Sequence, residues 1–309
     1  MNNSPKVVLH IGYTKAASST LKIHLFNKHP EINYLNVSDH APLVDFWENI
    51  GKLNENEYKF SNNQEIYFDW IQPRLEKTKV NLLSHETVLD SRFSDNYLKA
   101  YRLKNLIPDA KIMIVVRHQV DILRSLYDMR PNNPLASEFK DKKITFEKWV
   151  DMSLHPYYFS RSFMSGIKYC ENIDLYAQLF GQENLGIFLF EDLTINPDLF
   201  SEKLSEFLEV DSVTTKQLIF NSRQEHTAID NKYYQIRSNF MPKFALSKLI
   251  PQSTYKTLKK IAMISLENFY KKTEISEKYQ EKIGDIYKDS NQNLIEKYGI
   301  DLEKYNYPL

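Results

Sequence analysis

Four short, mainly apolar runs stand out along the chain, and each is followed by polar or helix-like sequence. They cover residues 7–11, 80–84, 111–116 and 185–190. The runs are compact and rich in β-branched or large apolar side chains, which is typical of parallel strands covered on both faces. Residues 32–37 form a weaker fifth candidate. The pattern therefore predicts a buried parallel sheet.

Longer segments carry apolar residues at spacings of three and four, the pattern of helices with one buried face. Between the strands, these segments are residues 19–28, 64–77, 95–106, 120–129 and 162–180. After residue 190, they are residues 198–208, 231–239, 243–270 and 275–298. Alternating strands and helices predict an α/β fold with a central parallel β-sheet flanked by helices. We expect a single domain over residues 1–309, with a mainly helical C-terminal part at residues 194–309.

Two segments lack a regular pattern. Residues 36–63 contain Pro42, Gly51 and many asparagines, and residues 130–143 contain two prolines and a run of charged residues. This composition is typical of loops and insertions. We expect each segment to be either a loop beside a binding site or a plain solvent-exposed connection.

Charge and composition narrow the class of protein. Forty Lys and Arg residues balance forty Asp and Glu residues. The zero net charge argues against a nucleic-acid-binding protein, because such proteins usually carry excess positive charge. One cysteine, Cys170, excludes a disulfide framework. The amino terminus lacks a signal-like pattern and no apolar stretch approaches about 18 residues, so we expect a cytoplasmic protein without a transmembrane segment. The oligomeric state stays open.

The strongest chemical signal lies directly after the first predicted strand. Residues 12–21 read GYTKAASSTL and lead into a helical pattern. A strand, a tight turn of small residues and a helix start present free backbone N–H groups at the positive end of a helix dipole, where phosphate binds. Lys15 adds a cation. The segment is not a Walker A loop, because Lys15 follows Gly12 by only three residues. An ordinary Ser/Thr-capped helix with a chance lysine is the alternative.

This loop resembles the 5′-phosphosulfate-binding loop of sulfotransferases that use 3′-phosphoadenosine 5′-phosphosulfate (PAPS). Its residues match the pattern H-I-G-x-x-K-[TA]-G-[TS]-[TS] of the bacterial and carbohydrate-directed branches, except that Ala17 stands where a glycine is expected. Positive φ at Ala17 would strain the loop. The resemblance implies that Lys15 is catalytic. It also implies that PAPS binds to Gly12, Tyr13, Thr14, Lys15, Ala16, Ala17, Ser18, Ser19 and Thr20.

A second motif resembles the same family about 100 residues later. Residues 111–127 read KIMIVVRHQVDILRSLY, a strand ending at Arg117 and a helix that carries Ser125 eight residues on. In the family, this arginine forks onto the 3′-phosphate of PAPS and the serine hydroxyl donates to it. The resemblance implies these roles for Arg117 and Ser125. The core motifs span residues 6–28, 79–129 and 160–193.

The resemblance implies sulfuryl transfer from PAPS to an acceptor hydroxyl, most simply of a carbohydrate, without a required metal. The expected acceptor-binding segments are residues 36–63, residues 130–158 and the C-terminal helices. The alternative is a P-loop-type small-molecule kinase or another nucleotide-binding protein, but a kinase needs a Walker A lysine beside a Ser or Thr ligand for magnesium. Glu191 and Asp192, after the fourth strand, are expected to cap a helix rather than bind a metal.

A base for the acceptor hydroxyl is expected at His85 and Glu86, directly after the second predicted strand. A neutral imidazole or a carboxylate within hydrogen-bond reach assists attack by an alcohol. Parallel strands end at the same sheet edge, so this pair should lie near Lys15. One of the two side chains would be the base and the other would orient a neighbour. Asp39 and His40 are the reserve, and a pair that only caps the next turn is the other alternative.

Overall fold

Five parallel strands form one sheet at the centre of the molecule. The computed structural model describes residues 5–86, 88–92, 95–128, 144–160, 162–211 and 273–309. The strands are β1 (Val7–His10), β2 (Ile32–Leu35), β3 (Val80–Ser84), β4 (Lys111–Val116) and β5 (Leu185–Leu189). Their order across the sheet is β2-β3-β1-β4-β5. This confirms the predicted α/β fold, and the weaker fifth candidate is the edge strand β2.

Helices flank the sheet and cover its strands. The helices are α1 (Ser18–Leu21), α2 (Ala41–Gly51), α3 (Phe60–Glu65), α4 (Asn96–Leu106), α5 (Gln119–Asp128), α6 (Phe146–Leu154), α7 (Pro156–Phe159), α8 (Phe163–Gly166), α9 (Tyr169–Phe180), α10 (Phe190–Ile195), α11 (Pro197–Leu208) and α12 (Glu277–Tyr298). Helices α1 and α3 continue into π-helical turns, Lys22–Phe26 and Ile66–Ile71. No helix of this part of the chain is long and apolar enough to cross a bilayer.

The prediction of an irregular segment at residues 36–63 is wrong. Helix α2 occupies much of it, with Leu43, Phe46, Trp47 and Ile50 buried at helical spacing. Pro42 lies in the first turn of α2, where a missing N–H costs no helical hydrogen bond. The helical signal was therefore present in the apolar spacing, but Pro42 and the many asparagines obscured it.

Other predicted elements differ in their bounds or lie outside the described ranges. The predicted helix at residues 162–180 is divided into α8 and α9. At Gly166, which ends α8, an added Cβ would lie 2.8 Å from the Leu89 carbonyl oxygen, so the two backbones approach closely there. The predicted loop at residues 130–143 and helices at residues 231–239 and 243–270 fall outside the residues that the structure describes.

One carboxylate, that of Glu209, binds two lysines at the amino edge of the sheet, where strands β1 and β4 begin. Glu209, which follows α11 with φ of 57°, pairs with Lys6 and with Lys111 (2.6 Å). Hydrogen bonds from Lys111 and Lys6 lower the pKa of Glu209 to about 2. The chain after α11 is therefore tied to the starts of β1 and β4.

Candidate functional site

The predicted site lies at the carboxyl edge of the sheet. The chain connects β1 to β2 toward one side of the sheet and β4 to β5 toward the other. Ligands of open α/β sheets bind where neighbouring strands diverge in this way. The loop of residues 12–20 follows β1, and Arg117 follows β4. The loop and Arg117, the two motifs predicted to bind phosphate, therefore lie at the ends of the neighbouring strands β1 and β4.

Two residues of the loop have a left-handed backbone conformation. φ is 72° at Lys15 and 65° at Ala17. For residues other than glycine this conformation costs roughly 1–2 kcal/mol. The Ala16 N–H donates to the Tyr13 carbonyl (3.1 Å) and closes the turn, and Ala17 is the N-cap residue of α1. The strain expected at Ala17, in place of the family's glycine, is confirmed.

The polar side chains of the loop differ in exposure. Ser18 is 5% exposed, and its Oγ is buried without a hydrogen-bond partner among the described residues. Ser19 is exposed, Thr20 is half-buried, and Thr14 Oγ1 lies 3.5 Å from the Glu86 carbonyl oxygen. A buried hydroxyl that makes no hydrogen bond costs free energy. Ser18 is therefore the loop hydroxyl best placed to donate to a ligand.

Arg117 contacts the loop directly. Its Nη1 donates to the Lys15 carbonyl oxygen (2.8 Å), and its guanidinium lies over the Phe190 ring, 4.3 Å from the centroid. Burial, and then the charge of Arg117, lower the pKa of Lys15 to about 8. Two cations from motifs that are distant in sequence therefore share one partly desolvated crevice.

Ser125 lies half-buried on α5, which begins at Gln119. A rise of 1.5 Å per residue places it about 9 Å along the helix from that start. Ser125 is thus on the helix that follows Arg117, as expected. A joint contact of both side chains with one phosphate stays a prediction.

The expectation that Glu191 and Asp192 cap a helix is wrong, because their carboxylates bind other elements. Glu191 accepts hydrogen bonds from the His118 N–H (2.9 Å) and the Tyr307 hydroxyl (2.7 Å). Asp192 accepts one from the Tyr305 hydroxyl (2.6 Å). Within the described ranges, no group of three His, Cys, Asp or Glu side chains could hold a metal ion.

His85 and Glu86 lie beside the loop, directly after β3. The His85 N–H donates to the His10 carbonyl (2.9 Å), so β3 and β1 stay paired up to the site. Burial lowers the pKa of His85 to about 4, although the charge of Glu86 opposes this shift. The Glu86 carboxylate binds the Lys22 ammonium. Burial would raise the pKa of Glu86, but the charge and hydrogen bond of Lys22 outweigh it and lower that pKa.

Lys22 and Trp47 are site residues that the sequence reasoning missed. The His85 ring stacks on Trp47, with centroids 5.3 Å apart and planes at 21°. Lys22 follows Ser18 by four residues, a spacing that places two side chains on the same face of a helix. That spacing could have identified Lys22, whereas Trp47 reaches the site only through the packing of α2.

His10 was also missed, and it lies fully buried beneath the loop. Its Nδ1 lies 2.7 Å from Ser84 Oγ, and its Nε2 has no hydrogen-bond partner in the part of the chain described. An added Cβ at Gly12 would lie 2.9 Å from that Nε2. Burial lowers the pKa of His10 to about 3. Gly12 is therefore required by the close approach of a neutral imidazole.

The reserve residues Asp39 and His40 are both exposed beyond the end of β2. The His40 ring packs on Trp70, with centroids 4.8 Å apart. Burial raises the pKa of Tyr34, and the charges of Glu86 and Asp39 raise it further. Asp39 therefore lies within electrostatic reach of the same phenol as Glu86, at the outer side of the site.

Several solved structures resemble this chain. A sulfotransferase from Alicyclobacillus acidocaldarius is 17% identical, covering 79% of this chain and 98% of its own, with a TM-score of 0.46. The sulfotransferase domain of the Synechococcus PCC 7002 olefin synthase is 15% identical, covering 72% and 80%, with a TM-score of 0.41. A mouse sulfotransferase complexed with PAP is 12% identical, covering 75% and 66%, with a TM-score of 0.42. No curated protein sequence matches the chain.

The family model of the sulfotransferase domain matches residues 6–288. The matched region contains the loop after β1, the His85 and Glu86 pair after β3, and Arg117 after β4. The match to the sulfotransferase domain favours sulfuryl transfer over the phosphoryl transfer expected of a kinase. Because the match spans most of the chain, this protein belongs to the sulfotransferase family, as its two motifs predicted.

Proposed function

We propose that this protein transfers the sulfuryl group of PAPS to a hydroxyl of an acceptor, with a carbohydrate as the acceptor class. The observation that carries the proposal is the hydrogen bond from Arg117 to the Lys15 carbonyl, which joins motifs 102 residues apart. Two cations in one crevice can receive the two phosphate-bearing ends of one nucleotide. Membership of the sulfotransferase family supports sulfuryl as the transferred group.

The loop residues fit a phosphosulfate group. The pKa of Lys15 is lowered to about 8, chiefly by burial, so an adjacent anion would stabilise its charged form. Ser18 Oγ is a buried donor that lacks a partner among the described residues, and the first N–H groups of a helix have no partner within it. Bound PAPS would supply an activated sulfuryl group on a phosphate oxygen. Residues 12–20 would hold that end, and Arg117 with Ser125 the 3′-phosphate.

Lys15 acts in this proposal on the oxygen that leaves sulfur. Negative charge grows on that oxygen as the sulfur–oxygen bond breaks, so a cation placed there stabilises the transition state more than the ground state. The left-handed conformation of Lys15 fixes where its side chain leaves the loop. Its charge therefore contributes more to turnover than to nucleotide affinity.

His85 is the proposed base. Its lowered pKa keeps the imidazole neutral at pH 7, so the ring can accept the proton of the acceptor hydroxyl. The Glu86 carboxylate is already bound by the Lys22 ammonium, which makes it less available to accept a proton from the acceptor. Glu86 is then the member of the pair that orients a neighbour, and Asp39 and His40 remain the reserve.

Exposed aromatic side chains support a carbohydrate acceptor. Tyr157 is 78% exposed and Tyr158 is 56% exposed, and both lie in the segment expected to contact the acceptor. Aromatic rings offer a flat apolar face with a polar tip, which suits a sugar ring. The acceptor class is tested by incubating the protein with PAPS labelled in its sulfuryl group and separated glycans, glycolipids and small alcohols. Lys15→Ala is the control, and label only in small alcohols would contradict the carbohydrate proposal.

The nucleotide assignment is tested by calorimetry with PAP, the desulfated 3′,5′-bisphosphate, and with AMP, which lacks the 3′-phosphate. Wild type should prefer PAP, and Arg117→Ala should lose about 1.5–3 kcal/mol of that preference, the worth of a hydrogen bond to a charged group. Ser125→Ala should lose less. Arg124→Ala is the matched control, because Arg124 lies on the same helix but pairs with Asp121 (2.5 Å). Equal wild-type affinity for PAP and AMP would exclude this assignment.

A further inference from the structure

The backbone around Arg117 is held by side chains from two other elements. The Tyr169 hydroxyl donates to the Arg117 carbonyl oxygen (2.5 Å) and lies 3.3 Å from the Arg117 nitrogen. On the next residue, the His118 N–H donates to Glu191 Oε1 (2.9 Å). Both peptide groups beside Arg117 are thus fixed, and this determines where its side chain starts.

The C-terminal segment completes this arrangement. The Tyr307 hydroxyl donates to Glu191 Oε2 (2.7 Å), the other oxygen of the carboxylate that binds the His118 N–H. His118 Nε2 lies 2.9 Å from the Asn306 carbonyl oxygen, and the His118 and Tyr307 rings pack with centroids 5.3 Å apart. The segment therefore reaches the turn that carries Arg117 through a carboxylate and through a ring contact.

Glu191 is negatively charged and acts electrostatically on Arg117, so the hydrogen bonds that its carboxylate accepts affect the proposed anion site. A carboxylate near an anion site repels the anion unless its charge is offset by donors. Glu191 has a donor on each oxygen, one from His118 and one from Tyr307. Burial, and then the charge of Glu191, raise the pKa of Tyr307 far above its ordinary value, so its hydroxyl keeps the proton that it donates.

We propose that Tyr307, acting through Glu191, is a positioning residue that fixes Arg117 for the 3′-phosphate and thereby sets the preference for nucleotides that carry one. The inference rests on the proposed nucleotide-binding role of Arg117. In this proposal the Tyr307 hydroxyl acts on the Glu191 carboxylate and not on the nucleotide. The Tyr307 hydroxyl binds the Glu191 carboxylate, which binds the His118 N–H beside Arg117. Loss of that hydroxyl should therefore weaken recognition of the 3′-phosphate more than recognition of the rest of the nucleotide.

The chain offers a matched control two residues away. The Tyr305 hydroxyl donates to Asp192 Oδ1 (2.6 Å), so Tyr305 ties the same segment to the same helix, α10. Asp192 also pairs with Lys203 (3.4 Å) and Lys304 (3.2 Å) rather than with the His118 peptide. Tyr305→Phe and Tyr307→Phe therefore each remove one hydrogen bond from a tyrosine hydroxyl to a carboxylate. Only Tyr307→Phe affects the carboxylate that binds the peptide beside Arg117.

The experiment measures the affinities of wild type, Tyr305→Phe and Tyr307→Phe for PAP and for AMP by calorimetry, with thermal unfolding as a folding check. Tyr307→Phe should lower the ratio of PAP to AMP affinity by about threefold to tenfold, the effect of one hydrogen bond. Tyr305→Phe should leave that ratio unchanged. Glu191→Asp, which keeps the negative charge but shortens the side chain that spans His118 and Tyr307, should act like Tyr307→Phe and serves if that variant does not fold.

The outcomes separate this inference from the proposed function. A wild type without preference for PAP would overturn both. If the wild type prefers PAP, a ratio that is unchanged in Tyr307→Phe and Glu191→Asp would overturn only the positioning role. A ratio that is lowered equally in Tyr305→Phe would do the same.

Discussion

The imidazole of His85 stacks on the indole of Trp47, with ring centroids 5.3 Å apart and planes inclined by 21°. Trp47 is 1% exposed and belongs to the core, so its ring is a fixed surface. Contact with a fixed ring limits rotation of the imidazole and removes water from one of its faces. The proposed base is therefore oriented by a residue that takes no part in proton transfer.

Replacement of His85 tests the base. His85→Ala should lose about 10²–10⁴-fold in turnover, the usual contribution of a general base, with PAP affinity retained. In wild type, kcat/KM should fall as the pH drops through about 4, because protonation of His85 removes the acceptor of the proton. Rates are measured from pH 3.5 to pH 8, over about the range where imidazoles titrate. His40→Ala is measured in parallel because His40 is a reserve base, and full turnover with an intact acidic limb in His85→Ala would move the base to the reserve residues.

Lys15 should set the alkaline limit of activity. Its ordinary pKa is lowered to about 8, so kcat/KM should fall as the pH rises through about 8 and the ammonium is lost. Bound anions raise this pKa, so the corresponding limb of kcat should lie at higher pH. Lys15→Ala should lose about 10²-fold or more in turnover at saturating PAPS. Lys28→Ala, at an exposed position, should behave as wild type. Near wild-type turnover of Lys15→Ala would disprove this role.

The strained loop predicts opposite effects of two neighbouring glycine substitutions. Ala17→Gly removes a Cβ at φ of 65° and should raise the free energy of unfolding by about 0.5–1 kcal/mol, because the relief of strain exceeds the added chain entropy. Ala16 is buried and is not among the positive-φ residues, so Ala16→Gly should destabilise by about 1 kcal/mol. Urea unfolding measures both. A loss of stability in Ala17→Gly would contradict the strain.

The buried His10 should make stability depend on pH. Its pKa is lowered to about 3, so between pH 6.5 and pH 3 the unfolded chain binds a proton that the folded chain does not. The free energy of unfolding should therefore fall as the pH drops through this window, by at most about 5 kcal/mol from His10. His10→Asn should be less stable at pH 7 but show a smaller pH dependence. His40→Asn is the exposed control, and equal pH slopes in wild type and His10→Asn would contradict the assignment.

The strands and the loop after β1 could be predicted because their signals are local. A buried parallel strand such as β4 is a short apolar run, and the loop after β1 combines small residues with Lys15 within a few positions. The position of His85 and Glu86 beside this loop followed from parallel strands ending at one edge. These features need only the sequence pattern and a rule of topology.

The remaining site residues depend on tertiary contacts that no local pattern contains. Trp47 reaches His85 because α2 packs beside the end of β3, and Tyr307 reaches Glu191 from a position 116 residues away. The role of Glu191 was mistaken because an acidic residue after a strand has the same local pattern whether it caps its helix or binds a distant hydroxyl. Contacts between residues that are distant in sequence form only when the helices and strands pack together.

The carboxylate of Glu209 offsets part of the positive charge at the amino edge of the sheet. At the amino edge of the sheet it pairs with both Lys6 and Lys111, whereas at the opposite edge Arg117 donates to the Lys15 carbonyl and lies within electrostatic reach of Glu191. The chain as a whole has no net charge to attract an anion, so electrostatic attraction of the proposed nucleotide must come from cations close to the site, such as Lys15 and Arg117. Capture of an anionic nucleotide should consequently weaken with rising ionic strength, as it would for a strongly basic protein.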